Sequence, residues 1–536
     1  MEEDLIKVRT ALISVADKTG VVDFAGGLRG FEITLLATGG TYASLKEAGI
    51  SVRSLQDDMN LPQALSGRIK TLHSPLFGAI LAMRTPEHMA ELKAMNAEPI
   101  DMVVVNFYPF EKVAGEKEAG DEKLIENIDI GGPSMVRAAS KNFEYVTVVP
   151  SPRLYGTVLD ELNAHGGSTS IGVRRRLAME AFSVTAAYDS AIYNGLWRRF
   201  EGSSKLPGRF VLSASKFQDA KYGENPDQKA TIYSIDGSEG LTGWKQLEGD
   251  TLSFNNYLDV GSAYDILEGF EETPAAATVK HGNISGFAFA PRVSEAYALA
   301  HACDPQADFG GTVILNREAD SETAMLIGKN EGVSDSSVYT EIAIAPGFSE
   351  EALRLMKAKQ KKKMRIIQVG SRSSYPYDLK VIEGAILLQD AVDYRRKLDG
   401  SKLTYPTKTK PEEATLAKLL SAWEVVRRVP SNGIVIADGK YSDGYLSHFW
   451  TLGVASFRKR NGAVKIALDN AGPRAEGAVC ASDGFFPFRD NIDLLGSAGV
   501  KAIIQPGGSL NDPEIVAAAD EYGMSMAVTH TRAFRH

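Results

Sequence analysis

At 536 residues the chain exceeds one ordinary domain, so roughly two to four are expected, and its 44% hydrophobic and 24% charged content is that of a folded globular protein. A formal net charge of −9 excludes a general nucleic-acid surface and leaves small anionic metabolites, held in local basic pockets, as the expected ligands. Two cysteines, Cys303 and Cys480, exclude a disulfide framework and a four-cysteine zinc site. They fit a reducing compartment, the cytoplasm by default. The first residues lack a basic and then apolar leader, and no run approaches the ~20 apolar residues of a membrane span, so neither export nor insertion is expected.

Strands are expected at 11–15, 33–37, 102–106 and 145–149, alternating with helical segments in the pattern of an open α/β sheet. Asp17 reads as the N-cap of a helix ending near Gly30. Thr38, Gly39, Gly40 and Thr41 lead into a helix that stops at Gly49. Such a strand, glycine turn and helix unit brings backbone amides and a helix amino terminus to a phosphate; an unliganded tight turn accounts for the glycines as well. Ser14, Lys18 and Thr19 add hydroxyls and a cation at the end of the first strand.

In the segment 66–73, two-residue alternation would put Arg68 and Lys70 on one side of an extended stretch, where both could face one anion. Asn106 and Tyr108 end the third strand, Asp129 precedes Gly131 in a flexible turn, and Lys141 closes a small-residue helix. Each also has a plain reading: a solvated face, a core ring with a wet hydroxyl, a cap, a C-terminal helix cation. Together they are polar groups at successive strand ends.

Further along, 202–208 is rich in turn formers and reads as the main linker, with a second at 399–411. The apolar run 275–279 breaks into Lys280 and His281, a cation and an imidazole at the carboxyl end of a strand. That is where α/β proteins hold ligands, although a snorkelling lysine beside a core histidine fits the same pair. Lys357 begins a lysine-rich run to 363 at the end of a helix starting near Ser349, where cations complement the helix dipole. A strong helix is expected at 416–428, followed by Asn432 in a turn. No solenoid repeat is visible.

Residues Ile13 to Gly20, Ala37 to Thr41, Gly67 to His73, Tyr108 to Phe110 and Ile128 to Gly132 resemble the IMP cyclohydrolase domain of the bifunctional purine biosynthesis enzymes. From about Lys221 onward the chain resembles the aminoimidazole carboxamide ribotide (AICAR) formyltransferase half of the same enzymes. The matching segments are Tyr222 to Pro226, Ser253 to Asn256, Val279 to His281, Phe309 to Gly311, Ser482 to Asp490, Gln505 to Ser509 and Phe534 to His536.

The resemblance implies an α/β architecture: an open methylglyoxal-synthase-like domain at 1–200, a linker at 201–220, and two cytidine-deaminase-like subdomains at 221–536 that break near 399–413. It implies formyl transfer from 10-formyl-tetrahydrofolate to AICAR, then ring closure to inosine monophosphate, by a homodimer and without a catalytic metal. For ring closure it points to Lys70, Tyr108, Asp129 and Lys141, with Ser14, Lys18, Thr19, Thr38, Gly39, Gly40, Thr41, Arg68, Thr71, Asn106 and Gly131 holding the nucleotide. For transfer it points to Lys280, His281 and Asn432, with Lys221, Tyr222, Asn255, Gly310, Glu341, Arg532, Phe534 and His536 on the AICAR ribotide. Phe485, Pro487, Phe488, Asp490, Asn491 and Ser509 would receive the folate, while Phe486 reads as core. Asp227 stands where the family usually has histidine, and 453–460 departs from the usual pattern. An alternative reading therefore keeps the cyclohydrolase and makes the C-terminal part a weak or inactive dimerisation module.

Overall fold

The computed structural model describes residues 4–59, 68–69, 71–116, 118, 120–202, 206–238, 240, 243–327, 340–358, 364–370 and 375–536. Lys70, residues 203–205 of the first linker and 359–363 of the lysine run lie outside the described residues. The chain divides into two units, Met1–Ser215 with Ile235–Gly237, and Lys216–Ser234 with Ser238–His536.

In the first unit, five described strands form a parallel sheet in the order Arg53–Ser54, Thr34–Ala37, Thr10–Val15, Met102–Asn106, Thr147–Val149. Leu12, Ile13, Val103 and Val104 are completely buried, as a parallel sheet covered on both faces requires. The strand order reverses between Thr10–Val15 and Met102–Asn106, and the crevice outside the carboxyl ends at such a reversal is where ligands bind.

Two local expectations are corrected. The first helix spans Val21–Arg29 behind a left-handed Gly20, and Asp17 does not cap it. Instead the Asp17 carboxylate accepts from the amide and hydroxyl of Thr19, because a short acidic side chain closes a turn on its own backbone two residues on. Arg68 and Ile69 lie in a turn in which the Leu72 amide donates to the Ile69 carbonyl, so strand alternation does not apply there.

In the second unit, eleven described strands form one sheet. The order is Lys245–Glu248, Arg365–Gln368, Ile342–Ala345, Thr312–Leu315, Ala275–Lys280, Asn283–Phe289, Tyr445–Ala455, Ile434–Ser442, Val479–Ser482, Ala502–Gln505, Ser525–Val528. Each half has the same plan. A hairpin pairs antiparallel with the first of three parallel strands, and the two hairpins meet through Ala288 opposite Trp450 and Phe289 opposite Phe449. Ala275, Ala277 and Val279 face the helices Phe254–Leu267 and Glu413–Val426, while Ala276 faces Val293–His301, the two-residue alternation of a sheet buried on both sides.

The segment near 399–413 is folded onto the sheet: Thr404 exchanges backbone hydrogen bonds with Val528 at 3.2 and 2.9 Å. Register then fixes which residues share an edge. Lys280 pairs with Asn283, Val279 with Thr312, Thr312 with Ile342, Ile342 with Arg365, and Ile434 with both Ala455 and Ser482. One edge of the sheet therefore carries Glu341, Gly311, Lys280, Asn432 and Asp483 in line.

Candidate active sites

At the strand reversal of the first unit, Ser14 Oγ lies 2.7 Å from Thr38 Oγ1. Thr41 Oγ1 accepts from the Val15 amide at 3.0 Å and donates to the Val15 carbonyl at 3.1 Å. Asn106 Oδ1 accepts from the amides of Ala16 and Asp17 at 2.7 and 2.9 Å, and its Nδ2 donates to the Asp17 carbonyl. The Thr19 hydroxyl and amide hold the Asp17 carboxyl below its usual range. A Cβ built on Gly40 would stand 3.8 Å from Lys18 Nζ, so that ammonium lies beside the first turn of the Gly39–Glu47 helix. Hydroxyls, a cation and helix amides thus converge at one rim, the composition of an anion site.

Across the rim, Gly131 opens the helix Gly131–Lys141 so close to Thr71 that an added Cβ would fall 2.1 Å from its hydroxyl. Asp129 Oδ1 accepts from the Gly132 amide at 2.9 Å, and the Asp129 amide donates to Tyr188 Oη at 2.8 Å. Tyr108 is 39% exposed, and the neighbouring Phe107 ring stands 4.9 Å from that of Tyr188. Arg68 is exposed and pairs with Glu126. Lys141 ends the helix that Gly131 begins, ten residues and about 15 Å away at 1.5 Å per residue. Tyr188, from the helix Ile171–Phe200, was not legible as a site residue, since nothing local marks it among 30 helical residues.

On that edge of the second sheet, Lys280 Nζ donates to the Phe309 carbonyl beside Gly310, which has φ 71°. The Gly282 amide donates to Asp259 Oδ1 at 2.6 Å. Asn256 Nδ2 donates to Glu341 Oε1 at 3.1 Å, which also accepts from Arg365 at 3.0 Å. Asn255 Nδ2 donates to the Glu224 carbonyl, Tyr222 accepts the Phe254 amide, and Lys221 donates its own amide to Leu252. These bonds draw the 221–228 loop onto the start of the Phe254–Leu267 helix.

Three strands along the edge, roughly 14 Å at the usual inter-strand spacing, Asn432 stands in a left-handed conformation, φ 59°. Its Oδ1 accepts from Arg460 at 3.0 Å, and the same guanidinium donates to Ser482 Oγ at 2.7 Å and Asp483 Oδ1 at 2.5 Å. Arg460 and Asp483 are both buried; burial pushes the Asp483 carboxyl up, against the pull of Arg460. Sequence reading left this arginine unplaced because the 453–460 segment aligned ambiguously with the family pattern.

A Cβ on Gly484 would meet Arg460 Nη2 at 2.5 Å and Phe534 Cε1 at 2.6 Å, so glycine lets the chain's last residues close on this cluster. Those residues are anchored: Ala533 donates to the Asp483 carbonyl, Ser431 to the Arg535 carbonyl, and Arg535 to the Arg428 carbonyl. Arg532 stacks on Phe534, whose ring meets that of His536. Beside them Phe486 is fully buried, Phe485 is half-buried and Phe488 is 62% exposed. Asp490 begins the helix Asp490–Ser497, Asn491 donates to the Phe488 carbonyl at 3.1 Å, and Asn511 donates to the Pro487 carbonyl at 2.7 Å. Ser509 Oγ accepts from the Asn511 amide at 3.1 Å. Asp227 is exposed. Among the described residues no group of three or more metal-ligating side chains is gathered, and no helix is long and apolar enough to cross a membrane.

The profile of the AICARFT/IMPCHase bienzyme family matches residues 139–468, and that of the MGS-like domain matches 20–134. The bifunctional purine biosynthesis protein PurH of Halalkalibacterium halodurans is 42% identical over 98% of this chain and 100% of its own length. The proteins of that name from Acetivibrio thermocellus and Listeria welshimeri are 40% and 41% identical, each over 99% of this chain and all of their own. A solved chain titled "Crystal structure of ForH" is 34% identical over 35% of this chain and 99% of that one, with a TM-score of 0.33. With a profile matched over more than half its length and full-length relatives at this identity, the chain belongs to the AICARFT/IMPCHase bienzyme family.

Proposed function

We propose that the second unit passes the formyl group of 10-formyl-tetrahydrofolate to the 5-amino group of AICAR, and that the first unit closes formyl-AICAR to inosine monophosphate. The chain is a bifunctional enzyme of purine biosynthesis, with AICAR formyltransferase and IMP cyclohydrolase activities and a formyl-folate co-substrate. The observation that carries the division of labour is that each unit holds a polar assembly of its own. One is an anion rim at a strand reversal, and the other is a line of groups along one edge of the large sheet.

Formyl transfer needs a base for a weakly nucleophilic amine and donors for the oxyanion. His281 would take the amine proton, Lys280 would face the leaving folate nitrogen, and Asn432, held by Arg460, would orient the formyl oxygen. The exposed Phe488 ring with Phe485, Pro487, Asp490, Asn491 and Ser509 would receive the folate. In ring closure the carboxamide nitrogen attacks the formyl carbon and water leaves. Lys70, Tyr108, Asp129 and Lys141 would move the protons.

We further propose a homodimer. Supporting it, the hairpin of Tyr377–Ile382 and Ala385–Asp390 exposes Val381, Ile382, Ile386 and Leu387, and a lone two-stranded hairpin is marginal in water. The alternative of a cyclohydrolase with an inactive C-terminal module is not favoured, since relatives matched from end to end carry the bifunctional name.

Purified protein incubated with AICAR and 10-formyl-tetrahydrofolate should yield inosine monophosphate, as should a parallel lane given formyl-AICAR. Inosine monophosphate from formyl-AICAR alone would remove the transferase; inosine monophosphate in neither lane would remove the cyclohydrolase, and the transferase as well only if no formyl-AICAR accumulates from AICAR.

A further inference from the structure

Lys280 pairs with Asn283, so the hairpin between Ala275–Lys280 and Asn283–Phe289 closes on two residues, His281 and Gly282. Their φ angles are 51° and 72°, the double positive φ that a type I′ turn requires. Glycine takes that conformation freely. Histidine pays for it in crowding at its Cβ and keeps it only where its surroundings insist.

Those surroundings are supplied by the helix Phe254–Leu267. Ser253 and Asn256 cap it reciprocally, and Val260, Ala263 and Ile266 are completely or almost completely buried under the sheet, so the helix is fixed. From its second turn Asp259 Oδ1 accepts the Gly282 amide at 2.6 Å. The Asn283 side chain closes the other side, donating to the His281 carbonyl at 3.1 Å.

We propose that Asp259 is a positioning residue of formyl transfer: it holds the His281 and Gly282 turn in its left-handed form and stabilises the imidazolium formed when His281 accepts the amine proton. The inference rests on the reading of His281 as the base. The charged groups around this carboxylate are His281 from the turn, Lys280 at the end of its strand and Glu341 just before the strand Ile342–Ala345, itself bonded to Arg365. Burial raises the Asp259 carboxyl above its usual range, and the Gly282 amide, His281 and Lys280 draw it back.

The test uses the full-length enzyme, with turnover of formyl-AICAR by the other unit as the control for folding. Asp259→Asn keeps an acceptor for Gly282 and loses the charge. Its KM for AICAR should stay within about two-fold while kcat for transfer falls roughly 10- to 100-fold, with the acid limb of the kcat profile moved to lower pH. Asp259→Ala should lose more. In a double-mutant cycle, Asp259→Asn should add nothing once His281→Asn is present. A single Asp259→Asn variant with normal kcat and an unmoved acid limb, or losses that multiply in the double variant, would overturn the proposal. Normal transfer by His281→Asn alone would instead remove His281 as the base, which separates the two failures.

Discussion

Tyr188 is a residue whose function rests on one hydroxyl. Its Oη accepts the Asp129 amide at 2.8 Å and donates to the Asn127 carbonyl at 3.2 Å, holding the turn that carries Asp129. Burial pushes this phenol up to about 12, whereas an unfolded tyrosine ionises near ~10. The folded-state value is the raised one. The stabilisation it represents is therefore complete below about pH 10 and lost as pH rises through about 12. Tyr188→Phe should cost about 1 kcal/mol near neutral pH and flatten the fall in stability over that alkaline window, as read by urea unfolding. An unchanged alkaline slope would mean the phenol is not held as described. Residues of this kind were hidden in the sequence for one reason: Asp129 and Tyr188 lie 59 positions apart, as Asn432 and Arg460 lie 28 apart, and no local pattern couples them. Lys280 and His281 stand out as candidates because an abrupt end to an apolar run is local information.

Two glycines decide how helices seat on the large sheet. A Cβ on Gly286, in the strand Asn283–Phe289, would fall 2.0 Å from the Ala300 carbonyl oxygen; one on Gly453, in Tyr445–Ala455, would fall 2.0 Å from that of Ala467. The obstacles are helix backbone, so a side chain cannot rotate away. Gly453→Ala should lift the helix Arg460–Ala471, whose first residue holds Asn432. The expected cost is about 1–3 kcal/mol. Formyl transfer should fall while cyclohydrolase turnover in the same preparation persists, and equal stability and transfer in the variant would refute the seating argument. Element boundaries in the sequence were close: the strand at 102–106 is Met102–Asn106, and the helix expected at 416–428 runs Glu413–Val426. Where expectation failed, at Asp17, a side chain competed with the helix for its own backbone.

At the scale of the whole molecule the second unit is built twice on one plan, a hairpin followed by three parallel strands, and the copies join hairpin to hairpin into a single sheet. That duplication aligns the His281 and Asn432 groups on one edge. The apolar hairpin Tyr377–Ile382 and Ala385–Asp390 lies outside that sheet and is exposed. Light scattering at micromolar concentration should give twice the chain's mass, and Val381→Lys with Leu387→Lys should shift it toward the monomer. A monomeric wild-type enzyme with full transfer activity would count against sites completed by a partner.

The sequence by itself determined the chemistry available and its order along the chain. Composition, the apolar run ending at Lys280 and His281, and the glycine turn at Thr38 to Thr41 each express a local preference that survives folding. Tertiary structure alone decided which of these groups meet. Sheet register set which groups share an edge, glycine contacts set the helix positions, and long-range bonds from Asp259, Arg460 and Tyr188 hold the Gly282 amide, the Asn432 side chain and the Asp129 amide. Such bonds join residues whose separation in the chain carries no information about their distance in space, so only the folded arrangement selects them.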